Sequence, residues 1–248
     1  MASSAPLLLA FETATRVTSV ALLRGAELIG EQRAPAGRPA AETLLQTLDA
    51  LLGCCGTDAA SVEAFAVSVG PGSFTGLRIG VATVKGLAFG TARPVAAVGT
   101  LAALARAAPE SDLPVVPMLD ARRGEVYAAA YAPLGPVEGD APRTLLAAGV
   151  YTPEDLARRL PPACVLVGEG IAVCGEWLRE RLDPDLRLHP PPEGDASARH
   201  VGALGAAILS RGEGIAAADL LPDYLRRAEA EVQRTGERFE PPRRLPRA

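Results

Sequence analysis

Gly70-Pro71-Gly72-Ser73-Phe74-Thr75-Gly76-Leu77-Arg78-Ile79-Gly80 follows an apolar run, Phe65 to Val69, and opens a segment that is apolar nearly all round. The order reads as a strand, a glycine-rich turn and a helix N-terminus. Such a junction points free backbone N–H groups and the positive end of a helix dipole at whatever occupies the turn, which raises anion binding as a function. The usual phosphate loops do not fit. Gly76 is followed by Leu77 instead of the Lys of a Walker loop, and Thr75 stands where a dinucleotide fingerprint has Gly. On the residues alone, a ligand loop and a tight turn whose glycines serve packing are equal alternatives. The helix predicted over 77–89 carries only two charges, Arg78 and Lys85. Leu77, Val81, Val84 and Ala88 make one apolar face; Ile79, Ala82 or Thr83, Gly86 and Phe89 make another, which predicts cover on two sides. Gly76 and Gly80, then Ala82, Gly86 and Gly90, recur at four-residue spacing and leave a ridge that another helix can approach closely. Each Gly costs an exposed helix about 1 kcal/mol relative to Ala, so close packing is expected to offset it. The packing partner is the chain's own sheet or a helix of another protein.

Composition bounds the rest. The chain has 248 residues, 48% of them hydrophobic, enough for a full core in one large domain or two small ones. The first apolar run, Leu7 to Phe11, stops at Glu12 with no preceding positive charge, so it is not read as a signal peptide. No run approaches the roughly 20 residues of a membrane span, and a cytoplasmic location is expected. Cys54, Cys55, Cys164 and Cys174 form no CxxC pair and are read as reduced, mostly buried thiols. A net charge of −4 and a pI near 5.4 lack the basic footprint of a nucleic-acid binder. The exception is the tail, residues 226–248, where arginines interleave with glutamates and prolines and a mobile segment is predicted.

The first 35 residues read as a three-stranded meander, Leu7 to Thr13, Val17 to Leu23 and Glu27 to Glu31, with a turn at Gly25. Ala41, Leu44, Leu45, Leu48, Leu51 and Leu52 then recur at helical spacing up to Gly53. After the glycine loop and its helix come a strand, Pro94 to Val98, and a helix, Leu101 to Ala108, in the alternating α/β manner. The second half repeats the first. Pro117 to Asp120 running into Glu125 to Tyr131 matches Leu9 to Glu12 running into Val17 to Leu23, and Val165 to Gly170 matches Phe65 to Gly70. Each first strand ends in an acid, Glu12 or Asp120. Thr152 is placed as an N-cap with Pro153 in the first turn and Asp155 at the capping-box position, and Ser197 caps a later helix. The resulting division is an N-terminal domain, residues 1–108, completed by a returning helix over 197–211, and a C-terminal domain, residues 109–196.

A duplicated unit of this kind resembles the actin, Hsp70 and sugar-kinase architecture, an α/β, ribonuclease-H-like fold with two subdomains that binds ATP between its halves. The candidate nucleotide-proximal residues are then Glu12, Thr13, Gly72, Ser73 and Asp120. Ala121 stands where a kinase-like loop favours Gly and crowds a phosphate. Five stretches carry a narrower resemblance: Phe11 to Thr15, Gly70 to Gly80, Gly86-Leu87-Ala88, Asp120-Ala121-Arg122-Arg123-Gly124-Glu125-Val126-Tyr127 and Pro222-Asp223-Tyr224-Leu225-Arg226. In this order they look like the bacterial TsaB family, also called YeaZ.

The resemblance implies a noncatalytic partner and scaffold of the paralogue TsaD, which transfers a threonylcarbamoyl group to the adenosine beside the anticodon of tRNA. It also implies a TsaE-type ATPase as third component, ATP/ADP and metal in the partner subunits, no cofactor or metal required by this chain, and tRNA met only indirectly. The catalytic paralogue holds its metal through histidines on the first helix; the matching helix here, Ala40 to Leu52, has none, and Ala40-Ala41 stand where many relatives carry a His. The two histidines, His189 and His200, make neither a zinc pair nor a triad and are read as packing or surface residues. The partner interface is expected on the first two helices, at Arg78, Ala82, Lys85, Gly86, Phe89, Leu44 and Leu48. Three rival readings stay open: a small-molecule kinase using Glu12 or Asp120, a metallopeptidase, and a protein that pairs with itself through the same face.

Overall fold

The computed structural model describes residues 5–35, 37–135, 142–182 and 186–226, and two five-stranded sheets organise them. In the first, β1 (Leu7–Glu12), β2 (Ser19–Arg24) and β3 (Glu27–Arg33) form an antiparallel meander; β4 (Ala64–Gly70) pairs parallel with β1, and β5 (Val95–Gly99) parallel with β4. In the second, β6 (Val115–Asp120), β7 (Val126–Tyr131) and β8 (Thr144–Tyr151) form the meander, while β9 (Val165–Val167) pairs parallel with β6 and β10 (Arg187–His189) parallel with β9. The orders β3-β2-β1-β4-β5 and β8-β7-β6-β9-β10 are the same order, so the duplication read from the sequence is real. Parallel neighbours require crossover connections, and helices supply them: α1 (Ala40–Cys54) and α2 (Phe74–Ala88) in the first copy, α4 (Pro153–Ala157) and α5 (Ile171–Arg181) in the second. Each copy ends in a further helix, α3 (Thr100–Ala105) or α6 (Ala198–Ser210).

Both faces of each sheet are covered, which is why β1 and β4 are buried at every position. One face of the first sheet presents Leu9, Phe11, Val20 and Leu22 to Leu44, Leu48 and Leu51 of α1 and Val81 and Val84 of α2. The other face presents Leu8, Ala10, Ala66 and Ala96 to Ala198, Val201 and Leu204 of α6. Gly202 and Gly205 let that helix lie close, since a Cβ at either would run into Leu23 or Ala66. In the second sheet Val116, Met118, Val126 and Ala128 meet Leu156 of α4 and Cys174 and Leu178 of α5. Its other face packs on α3, where Leu101, Leu104 and Ala105 join Val115, Leu119, Ala129 and Tyr131.

Several boundaries differ from the sequence reading. Helix α2 starts at Phe74 because the Ser73 hydroxyl accepts the Gly76 amide at 3.2 Å, and it ends before Phe89. Helix α1 runs past Gly53 to Cys54, and α3 is shorter than expected, stopping at Ala105. Strand β8, absent from the sequence reading, is an edge strand with little burial, so its residues show no clean alternation. The Thr152 cap is present, its hydroxyl accepting the Asp155 amide at 3.2 Å. Beyond Arg226, the tail expected to be mobile lies outside the described residues.

Candidate functional site

The glycine loop packs against the chain itself. A Cβ on Gly72 would meet the Ala14 carbonyl oxygen, one on Gly76 the Thr13 carbonyl oxygen, one on Gly80 the Thr13 hydroxyl, and one on Gly70 the Asp223 carbonyl oxygen. Positive φ values of 134° and 157° at Gly70 and Gly72 require glycine as well. Hydrogen bonds fasten the approach: the Ser73 amide donates to the Ala14 carbonyl at 2.6 Å, and the Thr13 hydroxyl donates to the Gly76 carbonyl at 2.9 Å. Of the two readings of this loop, close packing accounts for all four glycines.

A cleft of about 990 Å³ lies beside the loop, between the two sheets. Four of the candidate nucleotide-proximal residues line it, Thr13, Gly72, Ser73 and Asp120, together with Arg16, Arg33, Arg38, Arg122 and Glu169. Glu12 does not. Its carboxylate is fully buried and turned into its own turn, where one oxygen accepts the Ala14 and Thr15 amides at 2.6 and 3.2 Å. Burial pushes this carboxyl up to about 7, against the opposing pull of Ser68 and the two amides. Of the candidate nucleotide-proximal residues, Glu12 is therefore corrected, because its carboxylate is buried and faces away from the cleft lining. Asp120 is likewise engaged locally, accepting the Arg122 amide at 2.7 Å and its guanidinium at 3.1 Å, which stabilises the left-handed conformation of Arg122 and Arg123. Ala121 is buried in the cleft wall at the position where a phosphate loop would need Gly. Across the cleft, Arg16 Nε meets Glu169 Oε2 at 3.0 Å. Burial raises the Glu169 carboxyl above the ordinary range, and Arg16 pulls it back.

The second candidate surface is the outer side of α2. Arg78, Ala82, Gly86 and Phe89 are exposed in line, Phe89 at 87%, and Lys85 is half-buried with its ammonium on the Ala218 carbonyl at 3.0 Å. Among the described residues nothing of the chain covers this outer face, so of the two covers expected the chain supplies the one on the sheet side. The glycine ridge divides in function, since Gly76 and Gly80 are filled by Thr13, whereas among the described residues nothing lies near a would-be Cβ of Gly86 or Gly90. Leu44 and Leu48 are corrected. They are 2% and 3% exposed and belong to the core, because the stripe they share with Leu51 and Leu52 faces the sheet. The exposed leucine of α1 is Leu45, at 61%. Sequence reasoning missed Leu45 although its offset from that stripe was readable.

The segment from Pro222 to Arg226, which entered the sequence reading as one of the stretches that carry the resemblance, flanks α2. Tyr224 stacks on Phe74 with ring centroids 4.7 Å apart, and its hydroxyl accepts Arg78 Nε at 3.2 Å while the guanidinium lies over Phe74. His189 sits on β10 and His200 in the first turn of α6, on different elements. Cys164 and Cys174 are buried and free, as read, but Cys54 is exposed and Cys55 half-exposed.

Residues 34–158, half of the chain, match the family model described as TsaD, tRNA N6-adenosine threonylcarbamoyltransferase. The chain is 42% identical over 123 residues to the tRNA threonylcarbamoyladenosine biosynthesis protein TsaB of Haemophilus influenzae, and this match spans 48% of the chain and about half, 51%, of that relative. It is 29% identical over 244 residues to TsaB of Bacillus subtilis, spanning 91% of the chain and 96% of the relative. The solved structure of YeaZ from Pseudomonas aeruginosa superposes with a TM-score of 0.74 at 32% identity, covering 89% of this chain and all of that one. With its duplicated sheets, its self-packed glycine loop and an alignment running the length of that structure, the chain belongs to the TsaB (YeaZ) family.

Proposed function

We propose that this chain works in the formation of threonylcarbamoyladenosine next to the anticodon of tRNA, as the noncatalytic partner and scaffold of a TsaD-type threonylcarbamoyltransferase. Family membership supports the pathway, and the open ridge of α2 supports the partner role. A face whose floor is Ala82 and Gly86 admits a helix at close range, and Phe89 beside it supplies an aromatic anchor of the kind that carries interface energy. Arg78 and Lys85 flank the floor and give charges that fix register. The noncatalytic part is supported by the two acids at first-strand ends, since Glu12, outside the cleft lining, and Asp120, within it, both serve their own turns. In this reading a TsaE-type ATPase is the third component, ATP/ADP and metal belong to the partner subunits, tRNA is met through the partner, and the complex is cytoplasmic. Without the partner, the same ridge pairs two copies of this chain.

The test is the molar mass, by size exclusion with light scattering, of this chain mixed with the TsaD-type protein of the same organism. A one-to-one or larger complex, lost on Phe89→Asp, is expected. A chain that ignores TsaD with TsaE, nucleotide and metal present would overturn the reading in favour of an independent actin-like enzyme.

A further inference from the structure

The two sheets and their helices form two lobes, and the last described residues tie them together. The segment Leu221–Arg226 is fastened to the first lobe by the Asp223 amide, which donates to the Val69 carbonyl at 2.7 Å, and by Tyr224 on Phe74 and Arg78. Two residues later the chain reaches the other lobe. Arg226 donates through Nη1 to the Ala121 carbonyl at 2.6 Å and through Nη2 to the Glu125 carboxylate, in the turn between β6 and β7. The Arg226 and Glu125 side chains are only 15% and 23% exposed, so water screens this pair less than an ordinary surface pair. The fork also satisfies a backbone carbonyl, which a point charge would not do with the same geometry. The Arg16–Glu169 pair spans the cleft at a separate place.

We propose that Leu221–Arg226 is a clasp that fixes the separation of the two lobes, with Arg16–Glu169 as a second tie, so that cleft width is set by contacts within the chain and not by a bound ligand. The geometry argues for this over a passive tail. The segment is anchored on one lobe by a backbone bond, a ring stack and a side-chain bond, and it ends in a two-pronged contact on the other. Gly70 contributes, since any side chain there would displace the Asp223 carbonyl.

The experiment uses the full chain with spin labels at Asp49→Cys and Glu180→Cys, one exposed site on each lobe, and with Cys54→Ser and Cys55→Ser. Cys164 and Cys174 stay unlabelled, being buried with thiols pushed up to about 12 and about 11. Pulsed dipolar spectroscopy is expected to give one narrow distance distribution in the parent, unchanged by saturating ATP and magnesium. Arg226→Ala and Tyr224→Ala, which release opposite ends of the clasp, are each expected to double its width or add a second, longer population. Glu125→Gln, which keeps the fold of the segment and weakens one prong, carries the test if either variant fails to fold, with a smaller broadening. A parent distribution that narrows with nucleotide, or folded variants whose distributions match the parent's, would overturn the proposal. Neither readout involves TsaD, so failure here is separable from failure of the partner reading.

Discussion

Glu12 holds a full charge only against the burial around it, although the amides of its own turn favour that charge. Its carboxyl, ordinarily near 4.5, lies at about 7 in the folded chain because burial disfavours the ionised form. Between those values the folded state keeps a proton that the unfolded chain releases, so this stability is complete below about 4.5 and is lost as the pH rises through about 7. Glu12→Gln preserves an acceptor for the Ala14 and Thr15 amides and removes the titration. In urea unfolding at pH 5 and pH 8, the variant should lack a decline that in the parent is on the order of 3 kcal/mol. At Gly76 the effect is steric: Gly76→Ala drives a methyl into the Thr13 carbonyl and should cost roughly 2 kcal/mol, read as a lowered urea midpoint at unchanged slope. The sequence exposed both acids and every glycine of the loop. It did not reveal what they touch, because Glu12 bonds amides whose direction is set by the turn, and the glycines meet Thr13 and Ala14 from more than fifty positions away.

Helix α2 shows which part of an element its sequence discloses. The inward stripe Leu77, Val81, Val84 and Ala88 was legible from periodicity, and all four are buried. The outer side was less so: an apolar, glycine-rich face looks the same whether it is covered or waiting. Gly86→Leu decides between these states. The position is exposed with open space around its would-be Cβ, so the substitution should leave the isolated chain at least as stable, by thermal unfolding, since Leu is a better helix former than Gly by nearly 1 kcal/mol. On the proposed interface the same side chain would hold the two helices apart and abolish the complex with TsaD in light scattering. In α1 the error was to take interface residues from the stripe that also builds the core; Leu44 and Leu48 satisfy the sheet, and of the helix's leucines Leu45 is the one that faces outward. The clasp could not be read at all. Its bonds join Tyr224 to Arg78 and Arg226 to Ala121, residues separated by 146 and 105 positions with no pattern between them.

At the scale of the molecule, the repeated meander and the repeated strand–turn–helix were enough to recover the fold, because each copy reproduces the same strand order. Strands β8 and β10 escaped because an edge strand of low burial and a three-residue strand carry little periodicity. Of the final helices of the two copies, the one over 197–211 was assigned to the first domain from the sequence, while nothing local says which sheet the other covers. They cross over: α3, at the end of the first copy, closes a face of the second sheet, and α6, at the end of the second, closes a face of the first. A chain ending at residue 196 should therefore leave Leu8, Ala10 and Ala66 uncovered, and limited proteolysis should degrade its first five strands at a protease dose the full chain survives. The same exchange sets a timetable for synthesis. The sheet made first has no cover for one face until about residue 210 has left the ribosome, so the earliest-made strands must wait, exposed to aggregation or sheltered by chaperones, until a helix that begins only at Ala198 follows them out.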